Sequence, residues 1–455
     1  MNEYAGIALL DLVYAGVGTC ALVGLGLVRS ARSAVLYVGL AVLVGWALVG
    51  TITSMLLIAG LAAVVWQVLA VGLLAAGACL AAARRVQAAV TRFAPNPGGI
   101  ATWVAAGGAG VLLVLLESLG RRAFYSEPTT WDVWSFWLPK AESIVYFHGL
   151  DTSAGGFNSF ANSDYPPFAP AVDSLTYRFA GSVDNGIIPL QHWVLAVAFF
   201  GALAVLLARR VAPWILWPSL ALLVLMPSYL PLVGSALADE PLSECVALAV
   251  VCAALWLLDR DPRLIAVAAV FCVAATLLKN EGLPFALLIA VLLALTARGR
   301  RVRAPLVLAA AAILAIVPWR LWLNANEVAR TPAYDTHDLL RPSYLADRIG
   351  RLGTSLHEAT PYFFSWSAWL LALPLALALG AALLRSRPSI GWFALGTTLV
   401  ALAGNIAIYW VSTFPIHWYI RTTADRTSST IAVFCAALTP LLAAEALRAR
   451  RERIG

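Results

Sequence analysis

What most limits the fold of this chain is its succession of apolar runs, at roughly 5–28, 34–53, 57–82, 100–119, 186–208, 213–232, 240–258, 262–279, 283–297, 304–323, 361–384, 390–411 and 428–447. Crossing the hydrocarbon core of a bilayer as a helix takes roughly 20 such residues. The runs are continuous blocks rather than ten-residue alternating segments, so helices and not barrel strands are the spanning structure. Only 12% of residues are charged against 61% hydrophobic, too few polar groups to cover a globular surface. The expectation is an all-α polytopic membrane protein of about thirteen transmembrane helices, with the lipid bilayer of an inner or plasma membrane as its solvent.

Arginine placement gives a sidedness. With the N-terminus outside and the C-terminus cytoplasmic, the inner turns receive Arg29 and Arg32; Arg84, Arg85 and Arg92; Arg209 and Arg210; and Arg260 and Arg263. They also receive Arg298, Arg300, Arg301 and Arg303; Arg385 and Arg387; and the tail arginines from Arg448 to Arg453. Every inner connection then carries arginine, as the positive-inside tendency requires. The formal charge of +7 is therefore a matter of topology and not a nucleic-acid footprint. The outer face receives long loops at 120–185 and 324–360 and short connections at 233–239, 280–282 and 412–427. Met1–Tyr4 lacks a positive n-region, so the first apolar run is expected to be retained. All six cysteines lie inside apolar runs without paired spacing, which indicates neither a disulfide framework nor a cysteine metal site.

A proline- and glycine-rich linker, RFAPNPGG at 92–99, divides the chain. Before it, 1–95 is a three-span module of unknown role. After it, 96–455 forms a ten-span body that holds the unusual polar residues.

Those residues cluster on the outer face. In YSEPTTWDVWSFWLPKAESIVYFHG (125–149), Trp134, Trp137, Leu138 and Ala141 share a helical face, which predicts a short interfacial helix in the first long loop. Asp132 begins it. Tryptophans around that carboxylate would desolvate it and make it a usable base; the plainer reading is a helix-start residue favoured by the dipole. The rigid Tyr165-Pro166-Pro167 turn aims Asp164 and Tyr165 at a cavity mouth. Asp239 and Glu240 head a later span, where an acidic pair can bind a divalent metal ion or serve only the helix N-terminus. Lys279 and Glu281 occupy the short turn LLKNEGLPF, and Lys279, Arg320, His417, Arg421 and Arg426 all oppose the charge bias. Cations kept outside suit a lipid-linked phosphate, although snorkelling from span ends explains such residues as well.

Taken in order, WDVWSFWLPKAESIVYFHG, DYPPFAP, ADEPL and LLKNEGLPF resemble membrane glycosyltransferases of the type C fold (GT-C), closest to the dolichyl-mannosyltransferase-like and lipid A aminoarabinose-transferase-like group. Asp132, Ala141 and Gly149 match its aspartate-bearing amphipathic helix, and Tyr165, Pro166 and Pro167 its turn. Glu240 matches the acid that heads a later span, and Lys279, Glu281 and Gly282 its lysine turn. The resemblance covers roughly 100–300, and the family's aspartate follows its first span, so 1–95 reads as an addition. It implies a polyprenyl-phosphate sugar donor and an extracytoplasmic glycan, lipid or protein acceptor, joined by a single inverting displacement. Asp132 would be the general base, and Lys279 with Arg320 or Arg421 would hold the donor phosphate. Trp134, Tyr165 and Glu281 would contact substrate, and Glu240 would organise the site or, with Asp239, a metal. A multi-pass transporter or lipid-linked-sugar flippase is the rival reading, and a non-catalytic scaffold a third; paired halves and midplane polar groups would mark a transporter, and neither is plain in the sequence.

Overall fold

The computed structural model describes residues 2–62, 64–83, 93–297, 302–328, 341–364 and 371–454, and every regular element among them is a helix. Eight helices are long and apolar enough to cross a membrane, giving the chain the make-up of a polytopic helical membrane protein. They are α1 (Glu3–Gly24), α3 (Val38–Ile58), α5 (Ile100–Tyr125), α8 (Ile188–Leu207), α10 (Asp239–Asp259), α13 (Arg303–Ala325), α17 (Pro388–Val411) and α18 (Ile416–Ile454). The other apolar runs form α4 (Val65–Ala83), α9 (Pro213–Val224), α11 (Pro262–Leu278), α12 (Gly282–Thr296) and α16 (Ala372–Leu383). At 1.5 Å per residue, the 12-residue α9 and the 17-residue α11 are only about 18 and 26 Å long, short of a core of roughly 30 Å. Pro227 and Pro231 stop α9 early, and the chain from there to Ser235 is turn. The helices α2 (Ala31–Leu36), α6 (Leu138–Phe147), α7 (Phe168–Ala180), α14 (Pro342–Asp347) and α15 (Ile349–Phe364) complete the order. Of the expected inner arginines, Arg84, Arg85, Arg92, Arg298, Arg300 and Arg301 lie outside the described residues, as do 329–340 of the second long loop and 365–370 of the 361–384 run.

Of the residues before the linker, helices α1 and α3 pack closely on the helices that follow it. Helices α1 and α3 pack on each other and on α7, and α3 also lies on α8 and α11, within one continuous apolar core. Their approach depends on glycine: a Cβ at Gly18 would meet the Ala41 carbonyl oxygen at 1.7 Å, and one at Gly45 the Tyr14 oxygen at 1.8 Å. Small residues that let backbones meet are the usual device where lipid removes the hydrophobic drive between helices. Polar ties cross the same seam. Gln191 Nε2 donates to Asp11 Oδ1 (2.8 Å) and Arg263 Nε to the Leu25 carbonyl (2.9 Å).

The expected outer connection 412–427 is largely helix. Its polar residues continue the last span as the first turns of α18, whose 39 residues reach about 58 Å and overrun a bilayer core. At its far end α18 joins an arginine-rich network. Buried Glu445 receives Arg210 Nη1 at 3.0 Å and Arg448, with Arg387 Nε 3.7 Å away; Arg210 also pairs with Asp259 and Arg209 with Asp261. At its near end α18 faces the first long loop and the starts of α10 and α12.

Candidate functional site

The site is assembled at that near end from four short pieces of chain. Asp132 precedes a π-helical turn, Val133–Trp137, that widens the helix before α6 begins. Single π-turns of this kind recur at functional sites. The turn sends Trp137 inward, where it is buried and stacked on Tyr165 at 5.6 Å between ring centres. Trp131 and Trp134 remain 56% exposed.

The second piece is the loop before α7. Asn162 stands at φ 51°, and its carbonyl accepts from Lys140 Nζ at 2.5 Å, so a fully buried ammonium secures a left-handed residue. That ammonium lies 5.4 Å from the Phe136 ring and 5.0 Å from the Phe157 ring, and burial pulls its pKa down to about 7 against the upward pull of Asp164. Asp164 accepts Asn280 Nδ2 on Oδ2 (3.1 Å) and Trp319 Nε1 on its carbonyl (3.1 Å). Arg320 Nη2 in turn donates to Asn280 Oδ1 at 2.9 Å. Arg320 thus braces the 279–281 turn from behind.

The third piece is the turn between α11 and α12. Gly282 N donates to the Lys279 carbonyl (3.0 Å), and a Cβ at 282 would lie 1.8 Å from the Ala275 oxygen, so the turn closes only with glycine there. It presents Lys279, whose Nζ is 2.9 Å from Asp239 Oδ1 and 3.7 Å from Glu281 Oε1. Burial disfavours the Lys279 charge, but the carboxylates of Asp239 and Glu281 outweigh it and raise its pKa.

The fourth piece is the polar start of α18, which supplies Arg421, Asp425 and Arg426. Arg426 Nη1 is ion-paired with Asp132. The Asp132 carboxylate is therefore charge-paired rather than isolated among tryptophans as the sequence suggested. Arg421 has no hydrogen bond or ion pair among the described residues.

These pieces enclose a cavity of about 940 Å³ whose wall includes Asp132, Trp137, Tyr165, Asp239, Lys279, Glu281, Arg421, Asp425 and Arg426. Two carboxylate oxygens of this wall, Asp239 Oδ2 and Glu281 Oε2, are buried without a hydrogen-bond partner among the described residues. Such atoms are costly unless something else satisfies them. At Asp239, Lys279, Glu281 and Thr427 the cavity meets a largely apolar pocket of about 280 Å³, which runs between α12 and α17 past Phe285, Leu288, Val400 and Ile408. Of the residues singled out from sequence, Asp132, Tyr165, Asp239, Lys279, Glu281 and Arg421 are brought together here. Trp134, Glu240 and Arg320 are not.

Asp239 and Glu240 do not act as a pair. Adjacent residues of a helix diverge by about 100°. Asp239 accordingly turns to Lys279, and Glu240 to the buried His192 Nδ1 (3.2 Å) and to the backbone N–H of Gly234 (3.1 Å). The other nitrogen of His192 lies 3.5 Å from Asp173, an arrangement that an imidazolium, a donor at both nitrogens, satisfies. Among the described residues, no group of three or more His, Cys, Asp or Glu is placed to hold a metal ion. The residues present thus do not fit a protein-caged metal at 239–240.

Sequence reasoning gave Arg426 no role in the site, although its charge opposes the bias, and it overlooked Asp425 and the buried Lys140. The helical spacing of Arg421, Asp425 and Arg426 was the available signal. No protein-family model, no curated protein and no solved structure matches the chain.

Proposed function

We propose that the protein is a membrane glycosyltransferase that moves a sugar from a polyprenyl-phosphate donor to an extracytoplasmic acceptor. The observation that carries this reading is the junction of the two spaces: a charged cavity lined by carboxylates and three cations opens at Lys279 into an apolar slot between helices. An amphiphile with an anionic head and a hydrocarbon tail has the matching chemistry. Its phosphate would sit at Lys279 and Arg421, and its first isoprene units beside Phe285, Leu288 and Ile408.

In the step we assign, the Asp132 carboxylate takes the proton of the acceptor hydroxyl. The acceptor oxygen bonds to the anomeric carbon from the face opposite the phosphate, and the bond to the phosphate oxygen breaks. The electron pair leaves with the lipid phosphate, whose growing charge Lys279 and Arg421 stabilise. A positioned base is worth roughly 10² to 10⁴ in rate, and preorganised cations a comparable factor. Arg426 pairs with the Asp132 carboxylate and aims it until acceptor arrives. We further assign the cavity end to the extracytoplasmic side, because Arg209, Arg210, Arg387 and Arg448 gather at the other end.

The test is to incubate purified protein in nanodiscs with a panel of labelled polyprenyl-phosphate sugars and candidate acceptors. Sugar transfer from at least one donor is expected. Solute or lipid translocation in vesicles without transfer from any donor would sink the reading.

A further inference from the structure

A second cavity of about 740 Å³ opens at the same end, and among the described residues it shares Arg421 and Asp425 with the first. These two residues stand one turn apart on α18, so a single helix face is the partition between the two spaces. The far wall of the second cavity comes from α15, whose buried face is Ser355, Ala359 and Phe363 and whose His357, Glu358 and Tyr362 look into the space. The near wall is the proline-rich turn after α9, with Ser228. The volume is that of a pocket for a small ligand, within the usual range of about 300–1,000 Å³.

We infer that this second cavity binds a neutral, hydroxyl-rich carbohydrate, the acceptor in the transfer proposed above; the inference rests on that reading. Its lining is rich in groups that exchange hydrogen bonds with hydroxyls, among them Ser228, Ser428, Tyr362, Glu358 and Asp425. Glu358 lies 2.5 Å from His417 Nδ1, and Arg421 stands one turn from Asp425, so charges of both signs line the space. The Ser228 hydroxyl is buried and has no hydrogen-bond partner among the described residues. It is an orphan that a sugar hydroxyl would satisfy. Tyr362 offers an aromatic ring for the apolar face of a pyranose. Position adds to chemistry: Arg426, the residue after Asp425, is the one ion-paired with Asp132. The second cavity meets the first at Arg421 and Asp425, whereas the apolar slot meets it at Asp239, Lys279, Glu281 and Thr427, so the two open into the charged space through different parts of its wall.

The experiment is calorimetric titration of the full-length protein in detergent with methyl α-D-mannoside, methyl β-D-glucoside, methyl β-D-galactoside and methyl α-D-arabinofuranoside. Methyl β-D-glucuronide is the anionic comparison, and decaprenyl phosphate is titrated separately. At least one neutral glycoside should bind saturably at millimolar concentration. Tyr362→Ala and Ser228→Val should each weaken it tenfold or more, while the affinity for decaprenyl phosphate stays within twofold of wild type. Thermal unfolding identifies any variant that fails to fold, and Tyr362→Phe, which keeps the ring, should retain the site. If no neutral glycoside binds, if only the glucuronide does, or if binding ignores both substitutions, the inference is overturned, and unchanged binding of decaprenyl phosphate would leave the donor reading standing. Glycoside binding without any binding of decaprenyl phosphate would instead remove the donor reading and keep the second cavity as a carbohydrate site.

Discussion

Helix α18 carries a charged cluster at each end, and the two are built on opposite plans. Around Glu445 three arginines converge on one buried carboxylate, and the pairs Arg209–Asp261 and Arg210–Asp259 extend the network between helix ends. Around the cavity the balance is reversed. Four carboxylates, Asp132, Asp239, Glu281 and Asp425, and three cations, Lys279, Arg421 and Arg426, line one open space. The first plan uses charge to lock helices together. The second sets its ion pairs, Lys279–Asp239 and Arg426–Asp132, on the wall of a cavity together with Arg421, which has no ion pair among the described residues. Charged residues on a membrane helix thus have two distinct meanings, and the presence of a cavity separates them.

The largest expected effect on this contrast is catalytic. Asp132→Asn should lower sugar transfer by about 10² to 10⁴ while the protein still inserts and unfolds near the wild-type temperature. Near-normal turnover would reduce Asp132 to a structural partner of Arg426, like the acids at the other end. Glu445→Ala should do the reverse. It leaves Arg210, Arg387 and Arg448 around a buried vacancy and should cost about 3–5 kcal/mol of stability, read in thermal or denaturant unfolding, with decaprenyl phosphate affinity unchanged in the folded fraction. A loss of that affinity without a loss of stability would overturn the division of roles.

Lys140 offers a pH test of the cavity wall. Its native pKa of about 7 lies below the ordinary 10.5, so as pH falls the unfolded chain takes up this proton first. The native state then loses stability between about 10.5 and about 7, by up to about 1.4 kcal/mol per pH unit, and no further below that. Lys140→Met removes this contribution. Wild type should therefore gain stability relative to the variant as pH rises from 7 to 9, and a difference flat with pH would show that the ammonium is not buried. Arg421→Ala should weaken decaprenyl phosphate about tenfold and reduce its salt dependence, because Arg421, unlike Lys279 and Arg426, has no ion pair among the described residues to hold it back from a phosphate. The smallest effect is expected at Trp134. It lies outside the cavity with 56% of its surface exposed, and Trp134→Ala should alter transfer less than about twofold.

The sequence showed the fold through its apolar runs, each of which contains helix, but runs do not measure helix length. Prolines 227 and 231 end α9 inside an apolar stretch, whereas α18 continues through a polar one. A hydropathy reading sees only the apolar part of a helix, so residues 416–427 passed for a connection. Local motifs were legible because their geometry is local. The Lys279–Gly282 turn and the Tyr-Pro-Pro turn each fix their own backbone. Partnerships across the chain were not legible. Arg426 and Asp132 lie 294 residues apart, and His192, unremarkable inside an apolar run, finds Glu240 only once α8 packs on α10. For the same reason Asp239 and Glu240, adjacent in sequence, read as one site and belong to two.

Everything proposed for the cavity depends on one amphiphile spanning the charged space and the apolar slot together. An experimental structure of the protein in nanodiscs with decaprenyl phosphate bound would decide it. Phosphate density is expected within hydrogen-bonding reach of Lys279 and Arg421, with the chain running between α12 and α17 beside Phe285 and Ile408. Phosphate density at the Arg210–Glu445 end, or a lipid chain lying along α5 with the slot empty, would refute it.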